Sequence, residues 1–220
     1  MSLRPFKLYT FPTPNGKKVT VFLEELKLAY PGLDYEPINI DISTNVQKEP
    51  WFIKLNPNGR IPVLVDTNRN DFVVFETSAI LLYLQQHYDK DNKFGFDVAS
   101  EANDYSEQLQ WMFFGHGGVG PMQGQANHFF KFAPEKIPYA IKRYQDETKR
   151  LYGVLNIRLE GGNRDYLAGP GRGKPTIADF SIFPWVLGHA FCGVESLDEW
   201  PGVKAWVARL KEREGVAKGI

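Results

Sequence analysis

Apolar and polar residues alternate over Phe6–Thr10 (FKLYT), the period of a half-buried strand. After the loop at 11–16, Val19, Phe22, Leu23, Leu26 and Ala29 fall at helical spacing, and Pro31-Gly32 ends that run. Residues 35–40 predict a second strand with Tyr35, Ile38 and Ile40 as its apolar members. Residues 47–55 predict a short helix with Pro50 near its start. The stretch 56–84 (NPNGRIPVLVDTNRNDFVVFETSAILLYL) then supplies a turn, a strand at 61–65, a turn at 68–71, a strand at 72–75 and an apolar helix opened by Glu76-Thr77-Ser78. The order β-α-β-α-β-β-α describes a βαβ unit completed by a hairpin.

Beyond 89–97 (DKDNKFGFD), a polar segment carrying Gly95, the period is helical throughout. Residues 99–114 form one run, ending at a glycine-rich loop at 115–121. Ile137, Ile141, Tyr144, Leu151, Leu155 and Leu159 mark a long helix over 135–158. The glycine- and proline-rich 163–175 reads as a loop. Thr176 and Asp179 match a capping box ahead of an apolar helix that Pro184 should kink, and a last helix runs over 201–214. The expected division is an α/β domain at 1–89, a linker at 90–98 and an all-α domain at 99–220.

Composition narrows the function classes. With 43% hydrophobic residues in 220, the chain can bury a sizeable core. Lys plus Arg and Asp plus Glu both number 26, so no general attraction to nucleic acid exists. The longest apolar run, 79–84, is too short to span a bilayer, and residues 1–7 lack the apolar core of a secretory signal, so a cytoplasmic setting is expected. Cys192 is the sole cysteine, which excludes an internal disulfide or Cys-x-x-Cys centre; it is expected in the core. His87, His116, His128 and His189 have no metal-ligand spacing, and no metal is expected.

Two readings of 56–84 stay open at this level. Glu76, Thr77 and Ser78 open a helix, where unpaired N–H groups and the positive dipole end suit a small carboxylate. The same pattern also describes a plain hairpin with a capped helix. Pro62 belongs at a strand start, an edge or a cis turn, because it has no N–H to donate.

The thioredoxin-like order, NPNGRIPVLVD, FETSAILLYL and the later TIADF together resemble a cytosolic glutathione transferase from Phe6 to about Val216. More narrowly, Thr13-Pro-Asn-Gly16, 117–125 (GGVGPMQGQ) and 137–145 (IPYAIKRYQ) resemble the bacterial nu-class disulfide-bond oxidoreductases and the globular domain of the yeast nitrogen regulator that forms a prion. The resemblance implies a thioredoxin-like α/β domain followed by an all-α helical domain, glutathione as co-substrate, and a homodimer. It places Asn15 and Thr13 beside the glutathione sulfur. Gln47 and Lys48 come near the glycine carboxylate, Ile61 pairs with the cysteinyl unit beside a cis Pro62, and Glu76 with Thr77 holds the γ-glutamyl end. Arg143 reaches the ligand from the long helix, and Trp111, Phe113, Phe114, His128 and Phe129 suggest an apolar co-substrate wall. The Asn15 amide, the Gly16 N–H and the helix N-terminus are available donors to a thiolate.

No ionisable side chain lies at 13–15, so the reactive sulfur must come from the ligand, and conjugation to electrophiles is expected to be weak. Tyr9 sits too early, in the strand, to replace the activating residue of other transferases. The Asn/Gln-rich leader of the yeast regulator has no counterpart ahead of Phe6, and a prion role is not expected. The activity implied is reduction of small disulfides or peroxides with glutathione. The alternative is a non-catalytic, glutathione-dependent binding or regulatory protein.

Overall fold

The apolar alternation of Phe6–Thr10 becomes the central strand β1, with Phe6 and Leu8 fully buried. The structure, a computed structural model, describes residues 4–220; the leader reading of 1–7 rests partly on positions outside these. The chain divides into two units: the residues up to Asp91 together with Glu214–Ile220, and Asn92–Arg213. The C-terminal segment 214–220, which the sequence reading placed with the helical stretch 99–220, clusters with the first unit.

In the first unit, α1 (Pro14–Ala29) follows β1 and leads to β2 (Tyr35–Asn39). Two short 3-10 turns precede α2 (Pro50–Leu55), followed by β3 (Val63–Asp66), β4 (Phe72–Phe75) and α3 (Thr77–Tyr88). The sheet order is β2-β1-β3-β4, with β1 parallel to β2 and antiparallel to β3. Asp66 is fully buried at the end of β3 and accepts from the Tyr83 hydroxyl at 2.8 Å, from that of Tyr88, and from the Asn68 N–H at 3.0 Å. That carboxylate ties α3 to the sheet. The returning helix α9 (Glu214–Gly219) lies on α1 so closely that a Cβ on Gly219 would approach Val21 Cα to 2.4 Å.

The second unit is helical: α4 (Ala102–Phe114), α5 (Gly120–Asn127), α6 (Pro138–Asn156), α7 (Ile177–Leu187) and α8 (Pro201–Lys211). The chain then returns as α9 (Glu214–Gly219). The loop expected at 115–121 is helical instead. Gly115–Val119 forms a wide π-helical turn that carries α4 directly into α5. Packing explains the glycines. A Cβ on Gly115 would lie 2.4 Å from Ile182 Cγ1, and one on Gly120 would lie 3.1 Å from the Trp185 indole nitrogen. These glycines let α7 approach; they do not loosen the chain.

The capping box at the start of α7 is present, with Asp179 accepting from the Thr176 N–H at 2.9 Å and its hydroxyl at 3.0 Å. The same carboxylate accepts from the Leu167 N–H at 3.0 Å and the Trp206 indole at 2.9 Å. Among the described residues, no helix is long and apolar enough to cross a membrane.

Candidate functional site

Three loops of the first unit carry the residues singled out at 13–16, 47–62 and 76–77. At the first, Thr13 is the N-cap of α1, and its Oγ1 accepts from the Gly16 N–H at 3.2 Å. A Cβ on Gly16 would stand 2.1 Å from the Phe11 carbonyl oxygen and 2.6 Å from Thr10 Oγ1, so only glycine lets α1 begin this close to β1. The capping bond corrects one expectation: the Gly16 N–H is committed to Thr13 and is not a donor for a thiolate. With an acceptor site so used, the Thr13 hydroxyl keeps its hydrogen to donate. Asn15 is half-buried in the first turn of the same helix.

The second loop is built around Asn56, which is buried although polar. Its amide donates to the Arg60 carbonyl at 2.8 Å, its side-chain oxygen accepts from the Asn58 N–H at 2.9 Å, and its carbonyl accepts from the Gly59 N–H at 2.8 Å. Gly59 takes φ +60, and a Cβ there would meet the Gln47 carbonyl oxygen and Lys48 Nζ at 3.0 Å. Lys48 Nζ donates to the Gly59 carbonyl at 2.7 Å, so it holds the loop besides being placed to meet an anion. Gln47 is buried and donates through Nε2 to the Ile42 carbonyl at 3.2 Å, while its Oε1 has no partner among the described residues. Ile61 is half-buried and joined to the buried Pro62 by a cis bond.

Glu76 forms the third loop with φ +69, a left-handed conformation uncommon outside glycine, asparagine and aspartate. Its side chain is exposed, and Asn58 Nδ2 donates to its Oε1 at 3.5 Å. Behind it Thr77 and Ser78 are buried, and Thr77 Oγ1 accepts from Lys18 Nζ at 3.4 Å. Lys18 is only 2% exposed. Burial lowers its ammonium to about 8 from 10.5, against the opposing pull of the Glu76 charge. Sequence reading missed this residue. The available signal was its place four residues before Phe22, on the buried stripe of α1. Asn58 thus links the second loop to the third, Lys48 closes the second loop on itself, and Lys18, in α1 just after the first loop, reaches the third through Thr77.

The remaining candidates lie in the second unit. Arg143 projects from an exposed stretch of α6 into a hollow of 690 Å³ shared with Met122, Tyr139, Tyr144 and Arg150. Trp111 and Phe114 touch, with ring centroids 5.6 Å apart, and Phe113 is 55% exposed. The Arg158 guanidinium covers the Trp111 ring at 5.6 Å and pairs with Glu107 at 2.5 Å, which fixes Trp111 within a charged cluster. His128 is exposed, edge-on to Phe129, whose ring stacks on Tyr144 at 5.5 Å. Cys192 is fully buried, its thiol donating to the His189 carbonyl at 3.0 Å, and burial raises its titration point. It is a core residue. Among the described residues, no group of three or more His, Cys, Asp or Glu could hold a metal ion.

Comparison with known proteins agrees with this geometry. Residues 4–86 match the glutathione S-transferase N-terminal domain, and residues 120–214 match its C-terminal domain. The chain is 41% identical, over 97% of its length and 93% of the other's, to the disulfide-bond oxidoreductase YfcG of Escherichia coli. The glutathione transferase URE2P6 of Phanerochaete chrysosporium, solved with oxidized glutathione, superposes with a TM-score of 0.88 at 44% identity, covering 98% of this chain and 94% of that one. The nitrogen regulation fragment of the yeast prion protein URE2P gives a TM-score of 0.89 at 32% identity, covering 100% and 97%. Matched in both halves and across nearly its whole length, the chain belongs to the glutathione transferase family.

Proposed function

We infer that the protein binds glutathione in the cradle of the first unit and uses its thiolate to reduce small disulfides or peroxides, with conjugation to electrophiles as a lesser activity. The observation that carries this reading is the exposed Glu76 carboxylate at the start of α3, met by Asn58 of the 56–60 loop at 3.5 Å and backed by Lys18 through Thr77. The names of its relatives, a disulfide-bond oxidoreductase and a transferase solved with oxidized glutathione, support the same class.

Each residue has a physical role in this reading. Glu76 receives the cationic α-amino group of the ligand by a charge-assisted bond. Gln47 and Lys48 face its glycine end, and the backbone of Ile61 pairs with its middle. Glutathione supplies the thiol, of ordinary pKa near ~8.5, which must lose its proton to attack a disulfide sulfur. Neither Asn15 nor Thr13 is a base, so neither takes that proton; as neutral donors they lower the free energy of the thiolate. By family resemblance, Arg143, Trp111, Phe114 and His128 of the second unit are assigned to the co-substrate. A cytoplasmic setting and a homodimer belong to the same proposal.

The test is disulfide exchange between hydroxyethyl disulfide and glutathione, with glutathione affinity measured separately by calorimetry. Turnover well above the uncatalysed rate supports the enzyme. Tight binding without turnover overturns it in favour of the binding protein, a reading favoured by the lack of an ionisable group at 13–15.

A further inference from the structure

Lys18 is a buried ammonium that the fold alone does not require. It is 2% exposed and lies under the turn that opens α3. Among the described residues its hydrogen bond goes to Thr77 Oγ1, and at 3.4 Å it is long. An ammonium has three donors, and burying one without full compensation is costly. A methionine of similar length would fill the same space without that cost.

What the charge does is visible at the turn above it. Glu76 holds a left-handed φ of +69 on a non-glycine residue, and its carboxylate is exposed. The Glu76 charge is the one that acts back on Lys18, and Asn58 meets the carboxylate from the loop side at 3.5 Å. The turn is therefore engaged from within by a cation and from the flank by an amide, with its solvent side open. That is the arrangement needed to hold a carboxylate ready for a cationic ligand group.

We propose that Lys18 is a positioning residue of the glutathione site, its buried ammonium holding the Glu76–Thr77 turn in the conformation that presents the Glu76 carboxylate to the amino group of the ligand. This rests on the glutathione reading given above. Lys18 touches no ligand itself; it acts through Glu76 and Thr77.

The experiment is a double-mutant cycle with Lys18→Met and Glu76→Gln, using reduced glutathione as the calorimetric probe and thermal unfolding in parallel. Lys18→Met is expected to unfold at or above the wild-type temperature at neutral pH and to bind glutathione about tenfold more weakly. In that background Glu76→Gln should cost less than about threefold, against about tenfold or more in the wild type, because the carboxylate is no longer held. With hydroxyethyl disulfide, KM for glutathione should rise with Kd while kcat falls less than about twofold, a split that general loss of folding does not produce. Should Lys18→Met fail to fold, Lys18→Gln, which keeps a donor toward Thr77 without the charge, takes its place in the same cycle. Wild-type binding with unaltered affinity in the Lys18 variant, or independent effects of the two substitutions, overturns this proposal alone. Absence of wild-type binding overturns it together with the glutathione reading.

Discussion

Two of the buried charges, Asp179 in the second unit and Lys18 in the first, have opposite surroundings. Asp179 in the second unit accepts from two backbone N–H groups, a hydroxyl and an indole, all within 3.0 Å. Burial raises its carboxyl, and those four donors pull the other way. Lys18 in the first unit has one long bond to Thr77 and the nearby charge of Glu76. The contrast separates a charge that builds a fold from one that serves a site. A fully satisfied network rigidifies and specifies its surroundings, whereas an under-satisfied one persists when something other than stability depends on it.

Removing Asp179 gives the largest expected effect. Asp179→Ala leaves the Leu167, Thr176 and Trp206 donors buried without an acceptor and should cost about 3–5 kcal/mol in urea unfolding. Its folded fraction should bind glutathione as the wild type does. A loss below about 1 kcal/mol would end the claim that this carboxylate builds the second unit.

On the other side of the contrast, Glu76→Gln should leave the urea midpoint nearly unchanged but weaken glutathione binding by about tenfold to a hundredfold, as when a charge-assisted bond of about 1.5–3 kcal/mol is lost. Calorimetric affinity equal to the wild type would return Glu76 to the role of a helix-start charge.

The Lys18 contrast is sharpened by pH. Its ammonium loses its proton near 8 in the folded protein and near 10.5 in the unfolded chain. Between those values the unfolded chain binds more protons, so this residue's contribution to stability rises with pH and is lost as pH falls toward 8. Relative to Lys18→Met, the wild type should gain about 2 kcal/mol between about pH 7.5 and about pH 9.5, read from paired urea titrations. Parallel curves for the two proteins would mean that Lys18 is not buried as described.

Asn15→Ala should have the smallest effect and the most specific one. Disulfide exchange near pH 7 should slow by about tenfold with glutathione affinity barely moved, since a neutral donor stabilises only the thiolate. The deficit should close as pH passes the free-thiol value, where solvent supplies the thiolate. A deficit equal at all pH values would make Asn15 a residue that places the ligand, and an unaffected rate would pass its role to Thr13.

Much of the first unit was legible in the chain because its signals are local. Strand alternation at 6–10, the helical stripe from Val19 to Ala29 and proline at the start of β3 each concern neighbours a few residues apart. The capping box at Thr176 and Asp179 was legible for the same reason, since both partners lie within one helical turn. Where a run of glycines was read as a loop, the reading failed. Gly115 and Gly120 meet Ile182 and Trp185, more than 60 positions away, a contact that no local signal announces.

The sequence by itself determined the order of elements, the two-part organisation and the chemistry on offer at 13–16, 47–48, 61–62 and 76–77, because period, capping and side-chain type belong to the residues themselves. Only the tertiary structure decided who meets whom. It put Lys18 beneath Thr77 and brought the last helix back onto α1. Burial and the pairing of polar groups depend on every element that arrives at one place. A lysine on a helix reads as a surface charge until another helix N-terminus is packed over it.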